Sequence, residues 1–274
     1  MARMITTIAI ALVSGWLIVV GALYLFQRSL IYLPDRSRPD AAWLTGTGFT
    51  EIVARTEDGL ALTAWFHPPA EPSRLTVTLF HGNGGHHAYR LSTALPLARA
   101  GYGVLLASYR GYAGNPGAPS EEGFAADARA WMAALSARAI AADRVVLWGE
   151  SLGGGVVTRF AVETRVAAVI LSAPFTSLAD RAQELYPFAP ARLLVKDRFD
   201  NLSRIAEIAA PLFIVHGERD RVVPVEHGHR LFAAAREPKR AVFIRDADHN
   251  DLAGHGLIDH LFAFLRETEA RTAP

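Results

Sequence analysis

The chain has 274 residues, of which 51% are hydrophobic and 20% charged, enough apolar material for one domain with a buried core and too little polar bias for disorder. Its formal net charge is +1, and no cluster of lysine and arginine interleaved with aromatics stands out, which argues against nucleic acid as a partner. There is no cysteine, so disulfides, thiol nucleophiles and thiolate metal sites are excluded.

From Met4 to Gln27 no residue is charged, and Ile5 to Phe26 is almost wholly apolar apart from Thr6, Thr7 and Ser14. A helix of about 22 residues spans about 33 Å, enough for a hydrocarbon core of about 30 Å. Tyr24 and Phe26 fall where an interfacial aromatic belt lies. Arg3 suits the basic start of a cleavable signal, but the apolar run is longer than the roughly 7–15 residues of such a signal, and no clear small-residue cleavage site follows. A buried core helix would show an amphipathic stripe, which is missing. Residues 1–27 are therefore expected to be an uncleaved anchor in a lipid bilayer, and residues 28–274 the remaining domain. Arg28, Arg36 and Arg38, offset by Asp35, follow the segment, and Arg3 with the terminal amine precedes it; the balance tips the positive-inside rule only weakly toward a cytoplasmic domain.

After the polar connector 34–39, residues 49–55 and 60–67 alternate around Glu57-Asp58-Gly59 and read as a hairpin. An apolar run at 75–80 ends at His81-Gly82-Asn83-Gly84-Gly85, and a helical stretch follows over about 87–99. The next apolar run is 103–109. Ser120 then reads as a helix N-cap, with Glu121 and Glu122 in the first turn of a helix to about Arg138. Further strands are read at 145–148, 166–171, 212–215 and 241–244, with helices at 153–164 and about 257–267. Strands that are apolar without alternation, separated by helices, have both sheet faces covered. The pattern predicts an α/β protein with a doubly wound, mostly parallel sheet opened by an antiparallel hairpin. The stretch 180–210 exceeds what one crossover helix requires and carries Tyr186, Phe188, Leu193, Leu194 and Phe199; it is expected to form a small helical cap, the alternative being a broken crossover helix.

Gly149-Glu150-Ser151-Leu152-Gly153 has the G-x-S-x-G form between a predicted strand and a predicted helix. A nucleophile on so sharp a turn needs strained backbone angles, and strand presses on helix, so only small residues fit two places before and after. Gly153-Gly154-Gly155 in a helix start implies close backbone approach, since glycine weakens a helix. A serine hydroxyl needs a base to take its proton. Of ten histidines, His249 follows the last predicted strand, where ligand chemistry gathers in open α/β sheets. His81 and His216 also end strands but precede glycine and read as turn residues; His227, His229, His255 and His260 read as surface or capping groups. His86 and His87 lack a third metal ligand at useful spacing.

The imidazole needs a carboxylate to fix its tautomer. Asp220, directly after strand 212–215, gives the chain order Ser151, Asp220, His249; Glu218 is the rival acid, and Asp246, Asp248 and Asp251 read as loop caps. The oxyanion donors are expected from the backbone N–H groups of Leu152 and Asn83, with Gly84 as the alternative to Asn83. No G-x-x-x-x-G-K-[ST] or G-x-G-x-x-G phosphate loop occurs, and no cofactor or metal is expected.

Together these segments resemble the α/β-hydrolase superfamily, and more narrowly its small-cap, N-terminally anchored branch, akin to serine aminopeptidase-like and prolyl-oligopeptidase-like domains and to bud-emergence-type hydrolases of fungi. The resemblance runs from Gln27-Arg28-Ser29-Leu30-Ile31-Tyr32-Leu33-Pro34 through Phe80-His81-Gly82-Asn83, Tyr109-Arg110-Gly111-Tyr112, the serine motif, Lys196-Asp197-Arg198-Phe199-Asp200 and His216-Gly217-Glu218-Arg219-Asp220 to Asp248-His249-Asn250-Asp251. Ala113 and Asn115 stand where many relatives carry Gly and Ser. The resemblance implies hydrolysis of an ester, thioester or amide in a small-molecule or acylated substrate. It places the catalytic domain on the non-cytoplasmic face in anchored relatives, against the arginine balance. The alternatives are a peptidase or acyltransferase on the same scaffold, or a non-catalytic membrane-anchored binding protein.

Overall fold

Eight strands fall where apolar, β-branched runs predict them, and the computed structural model describes residues 1–272. They are β1 (Thr50–Arg55), β2 (Ala61–His67), β3 (Thr76–Phe80), β4 (Gly103–Ala107), β5 (Val145–Glu150), β6 (Ala168–Ser172), β7 (Leu212–Gly217) and β8 (Lys239–Ile244). Their order across the sheet is β8-β7-β6-β5-β3-β4-β2-β1. Pairing is parallel from β8 to β4; β1 and β2 form the antiparallel hairpin that closes the other edge.

Parallel strands need crossovers, and the helices that supply them cover both faces. On one side lie α3 (Glu121–Ser136), α4 (Leu152–Glu163) and α8 (Val225–Ala234), burying Phe124, Trp131, Val157, Phe160 and Leu231 with Leu147 of β5. On the other lie α2 (Leu91–Arg99) and α9 (Leu257–Thr272), burying Leu97, Leu261, Phe264 and Leu265 with Trp148 of the same strand. Adjacent residues of β5 thus serve opposite cores, the period-two consequence of a pleated strand. The Ser120 hydroxyl caps α3 by accepting from Gly123 N–H at 3.0 Å, an interaction worth about 1 kcal/mol.

Between β6 and β7 the chain forms α5 (Leu178–Leu185), α6 (Ala191–Leu194) and α7 (Asn201–Arg204). This insertion is joined to α1 (Ala2–Ile31), which continues four residues past Gln27. Up to Val19 the side chains of α1 are exposed, and the mean hydropathy of its most apolar window is 2.4. The helix is long and apolar enough to cross a membrane. Its second half is not free of the fold, however. Trp16 Nε1 donates to Phe188 O at 2.8 Å, Gln27 Nε2 to Leu194 O at 3.3 Å, and Gln27 Oε1 accepts from Lys196 N at 2.7 Å. Arg28 makes a bidentate pair with the buried Asp197 at 2.8 and 3.1 Å. Just after α1, Leu33 and Pro34 pair in parallel with Gly84 and Gly85, a two-residue bridge too short to leave a periodicity.

Ala113 adopts φ 54°, the left-handed region where glycine is at ease. Asn115 holds the same loop: its Oδ1 accepts from Thr63 N–H at 2.8 Å and its Nδ2 donates to Ser108 Oγ at 3.0 Å.

Candidate active site

β5 ends at Glu150 and α4 begins at Leu152, so Ser151 alone makes the turn between them. Its backbone sits at φ 50°, ψ −111°, a conformation that costs a non-glycine residue about 1–3 kcal/mol. A side-chain carbon on Gly149 would meet Gly153 O at 2.5 Å, and one on Gly153 would meet Phe80 O at 2.0 Å. Both glycines of the motif are therefore required by backbone contact. Ser151 N–H donates to Ser172 O at 2.9 Å, anchoring the turn to β6.

The loops after β7 and β8 bring the two other side chains to this turn. His249 Nε2 lies 3.0 Å from Ser151 Oγ, and His249 Nδ1 lies 2.6 Å from Asp220 Oδ2. The other carboxylate oxygen, Oδ1, accepts from Val222 N–H at 2.8 Å and Val223 N–H at 2.7 Å. Burial alone would raise the Asp220 pKa, but hydrogen bonds from His216, His249 and Val223 N–H outweigh it and hold the group well below the usual carboxylate range. Glu218, two residues earlier, is exposed. Asp248 accepts from Arg221 N–H and from His249 N–H, and Asp251 accepts from Asp248 N–H at 2.7 Å, so these acids shape the histidine loop.

The loop after β3 completes the arrangement. A side-chain carbon on Gly82 would lie 3.6 Å from Ser151 Cβ, so this backbone runs beside the serine. Asn83 O accepts from Leu33 N–H at 3.1 Å and from Tyr112 Oη at 2.8 Å, while Asn83 Nδ2 donates to Ile31 O at 3.0 Å. The backbone N–H groups of Asn83 and Leu152 have no acceptor among the described residues. With the loop fixed by Tyr112 and the end of α1, both are available to a substrate oxygen.

The remaining histidines divide in a way the sequence did not reveal. His216 is buried; its Nε2 lies 2.9 Å from Val223 O and 3.2 Å from Asp220 Oδ2, so Nε2–H donates there and braces the acid loop. His227, expected as a surface or capping group, is instead buried: Nδ1 accepts from Thr176 N–H at 3.1 Å and Nε2–H donates to Glu184 at 3.1 Å. His81 is buried between Tyr109 and Tyr112, donates from Nδ1 to Gly82 O at 2.8 Å, and is pushed well below its ordinary pKa chiefly by burial. His86 stacks on Tyr89, whereas His87 turns into the core against Trp65. No group of three or more His, Asp or Glu side chains able to hold a metal ion occurs among the described residues.

Ser151 stands where two depressions meet. One is a cleft of about 610 Å³ with mixed walls, Tyr89, Arg90, Thr93, Glu150 and Asn250 standing beside Leu33, Leu252 and Leu257. Arg90 is ion-paired with Glu150, the residue before the serine. The other is a narrower groove of about 210 Å³ between the end of α1 and α5, walled by Leu30, Ile31, Phe175, Ala182 and Val223. Neither the second depression nor the bracing roles of His216, Tyr112 and Ile31 follow from spacing along the chain.

The chain is similar to known proteins over most of its length. The family described as alpha/beta hydrolase fold matches residues 76–202. An uncharacterized protein of Mycobacterium tuberculosis is 41% identical over 248 residues, covering 88% of each chain. The alpha/beta hydrolase domain-containing protein WAV2 of Arabidopsis thaliana is 32% identical over 252 residues, covering 82% of each chain. Protein bem46 of Schizosaccharomyces pombe is 29% identical, covering 93% of this chain and 91% of its own. Among solved structures, an esterase of Pyrococcus furiosus superposes with a TM-score of 0.70 at 20% identity, over 86% of this chain and 98% of its own; at that identity the likeness is one of fold.

Proposed function

The chain belongs to the α/β-hydrolase family, and from that premise we propose that it is a serine esterase tethered to a membrane by α1. In this reading Ser151 is the nucleophile, His249 the general base and Asp220 the acid that fixes the imidazole tautomer. The observation that carries it is the continuous contact from Asp220 Oδ2 through His249 to Ser151 Oγ, at 2.6 and 3.0 Å.

The steps follow from those distances. Ser151 Oγ attacks the substrate carbonyl carbon while its proton passes to His249 Nε2. The carbonyl oxygen becomes an oxyanion and accepts from the Leu152 and Asn83 N–H groups. Asp220, held ionised, stabilises the imidazolium through Nδ1–H. The tetrahedral carbon then expels its leaving group, which takes the proton from Nε2, and an acyl-enzyme remains. Water, deprotonated by the same nitrogen, attacks the acyl carbon and releases the acid. The bond cleaved is an ester, thioester or amide; ester is favoured because Glu150, the acid among the described residues lining the wider cleft, is tied to Arg90 and not free to hold a peptide amine.

A fluorophosphonate probe applied to membranes holding the full chain tests this. Covalent labelling is expected, and loss of labelling in Ser151→Ala. Labelling that persists in Ser151→Ala contradicts the assignment.

A further inference from the structure

A second apolar depression, walled by Val20, Leu23, Ala189 and Leu194, adjoins the groove at Ser151, and the two share Leu30, Ile31, Ala182, Tyr186 and Val195 as walls. The serine lies at one end of this pair; the far end is the face of the long apolar helix α1.

The seam between α1 and the cap fixes where that far end opens. Residues 2–15, ahead of the first cap contact at Trp16, span only about 21 Å at 1.5 Å per residue, short of a hydrocarbon core of about 30 Å. For α1 to cross a bilayer with the cap docked, the cap surface near Trp16 must enter the hydrocarbon. That surface has the composition to do so: Leu185 is 55% exposed, Phe188 52% and Leu193 84%. Its polar groups are paired where lipid would penalise them. The Trp16 indole N–H and Phe188 O satisfy each other, and the Gln27 amide pairs with Leu194 O and Lys196 N–H. The Arg192 guanidinium, beside Leu193, pairs with Asp180 at 2.9 Å while its side chain stays 60% exposed, so its charge is neutralised but not covered. Lys196 lies over the Tyr24 ring at 4.3 Å, a cation and an amphipathic ring at the level where headgroups begin.

Building on the serine-esterase reading, we propose that the substrate is a long-chain acyl ester resident in the bilayer, whose acyl chain reaches Ser151 from the hydrocarbon through the groove between α1 and the cap. The polar alcohol half then occupies the opposite cleft, beside Tyr89, Thr93 and Asn250, in water. An amphiphile needs an apolar groove and a wider chamber that offers polar groups, meeting at the scissile carbonyl, and Ser151 lines both. Hydrolysis yields a fatty acid, which can return along the groove, and an alcohol released to the aqueous side.

The test uses the full chain in phosphatidylcholine vesicles. p-Nitrophenyl palmitate is supplied in the same vesicles or in separate protein-free vesicles, and water-soluble p-nitrophenyl acetate is measured alongside. The same-vesicle palmitate is expected to turn over about tenfold faster or more than the separate supply, a difference of about 1.4 kcal/mol. Ala182→Phe, which fills the groove near the serine, is expected to lower the palmitate-to-acetate ratio by about tenfold or more. Leu23→Trp, at the far end, is expected to lower the palmitate-to-octanoate ratio while sparing the octanoate-to-acetate ratio. A folding defect lowers all substrates together and does not reproduce that length dependence. Equal rates from the two vesicle supplies, or unchanged ratios in both variants, overturn the proposal with the esterase reading intact. Absence of acetate hydrolysis by the unaltered chain removes both.

Discussion

Asp220 holds His249 by one carboxylate oxygen, at 2.6 Å from Nδ1, while its other oxygen is held by two backbone N–H groups of its own loop. The acid is thus positioned by β7 and its turn independently of the histidine. Substituting Asp220→Asn should therefore keep the loop largely in place but present the wrong partner to Nδ1, lowering kcat by about 10⁴. Glu218→Gln, at an exposed site, should change kcat by less than about twofold. Steady-state kinetics with a p-nitrophenyl ester distinguish them; the reverse ranking moves the acid to Glu218.

The same carboxylate makes stability depend on pH. Its folded pKa lies below the unfolded value of about 3.9, so the folded state binds this proton more weakly. The contribution is fully present above about pH 4 and is lost as pH falls through the folded value. The gap in urea midpoint between the unaltered chain and Asp220→Asn should be constant above about pH 5 and should narrow progressively as pH falls from about 4 downward. A gap that stays constant over that range contradicts the linkage.

Adjacent glycines in α4 should behave oppositely. A methyl on Gly153 meets Phe80 O at 2.0 Å, backbone that cannot yield, so Gly153→Ala should lose about 3 kcal/mol or more, or fail to fold. A methyl on Gly154 finds its neighbours at 3.7 Å and beyond, ordinary contact, and should gain up to about 1 kcal/mol from helix propensity. Thermal melts of the two variants decide this; equal destabilisation would mean that α4 resists any added volume.

Asp197 is 4% exposed and bonds both Arg28 and Glu121 N–H, tying α1 to the cap and to the start of α3. Asp197→Ala should cost about 1–3 kcal/mol, a buried-pair figure reduced because the Arg28 side chain is 53% exposed. Arg28→Ala should cost less, since Asp197 keeps its bond to Glu121 N–H. Urea denaturation gives the ranking, and protease cleavage between α1 and β1 should rise in both variants.

The sheet was legible because buried parallel strands are continuous apolar runs, as at 145–148, and because Ser120 marks its helix by a cap. The three residues now brought together were legible for a related reason: chemistry in such sheets gathers where strands end, and Ser151, Asp220 and His249 each follow one. What escaped the sequence depends on contacts across long separations. The burial of His227 is set by Thr176 and Glu184 on the cap side, which no local pattern announces. The docking of α1 rests on polar groups of Trp16 and Gln27, single residues inside a run otherwise read only for its hydropathy. The domain boundary placed at Gln27 thus falls inside a helix that continues to Ile31.

That continuity has a practical corollary for anyone trimming the chain to handle it without detergent. The Ile31 carbonyl receives the Asn83 amide, and Leu33 pairs with Gly84 beside the serine. A shortened version beginning at Gln27 retains both ties, whereas one beginning at Tyr32 keeps the Leu33 pairing but loses the Ile31 acceptor that holds the Asn83 side chain. Under the esterase proposal, such a fragment is expected to show a lower turnover than the full chain.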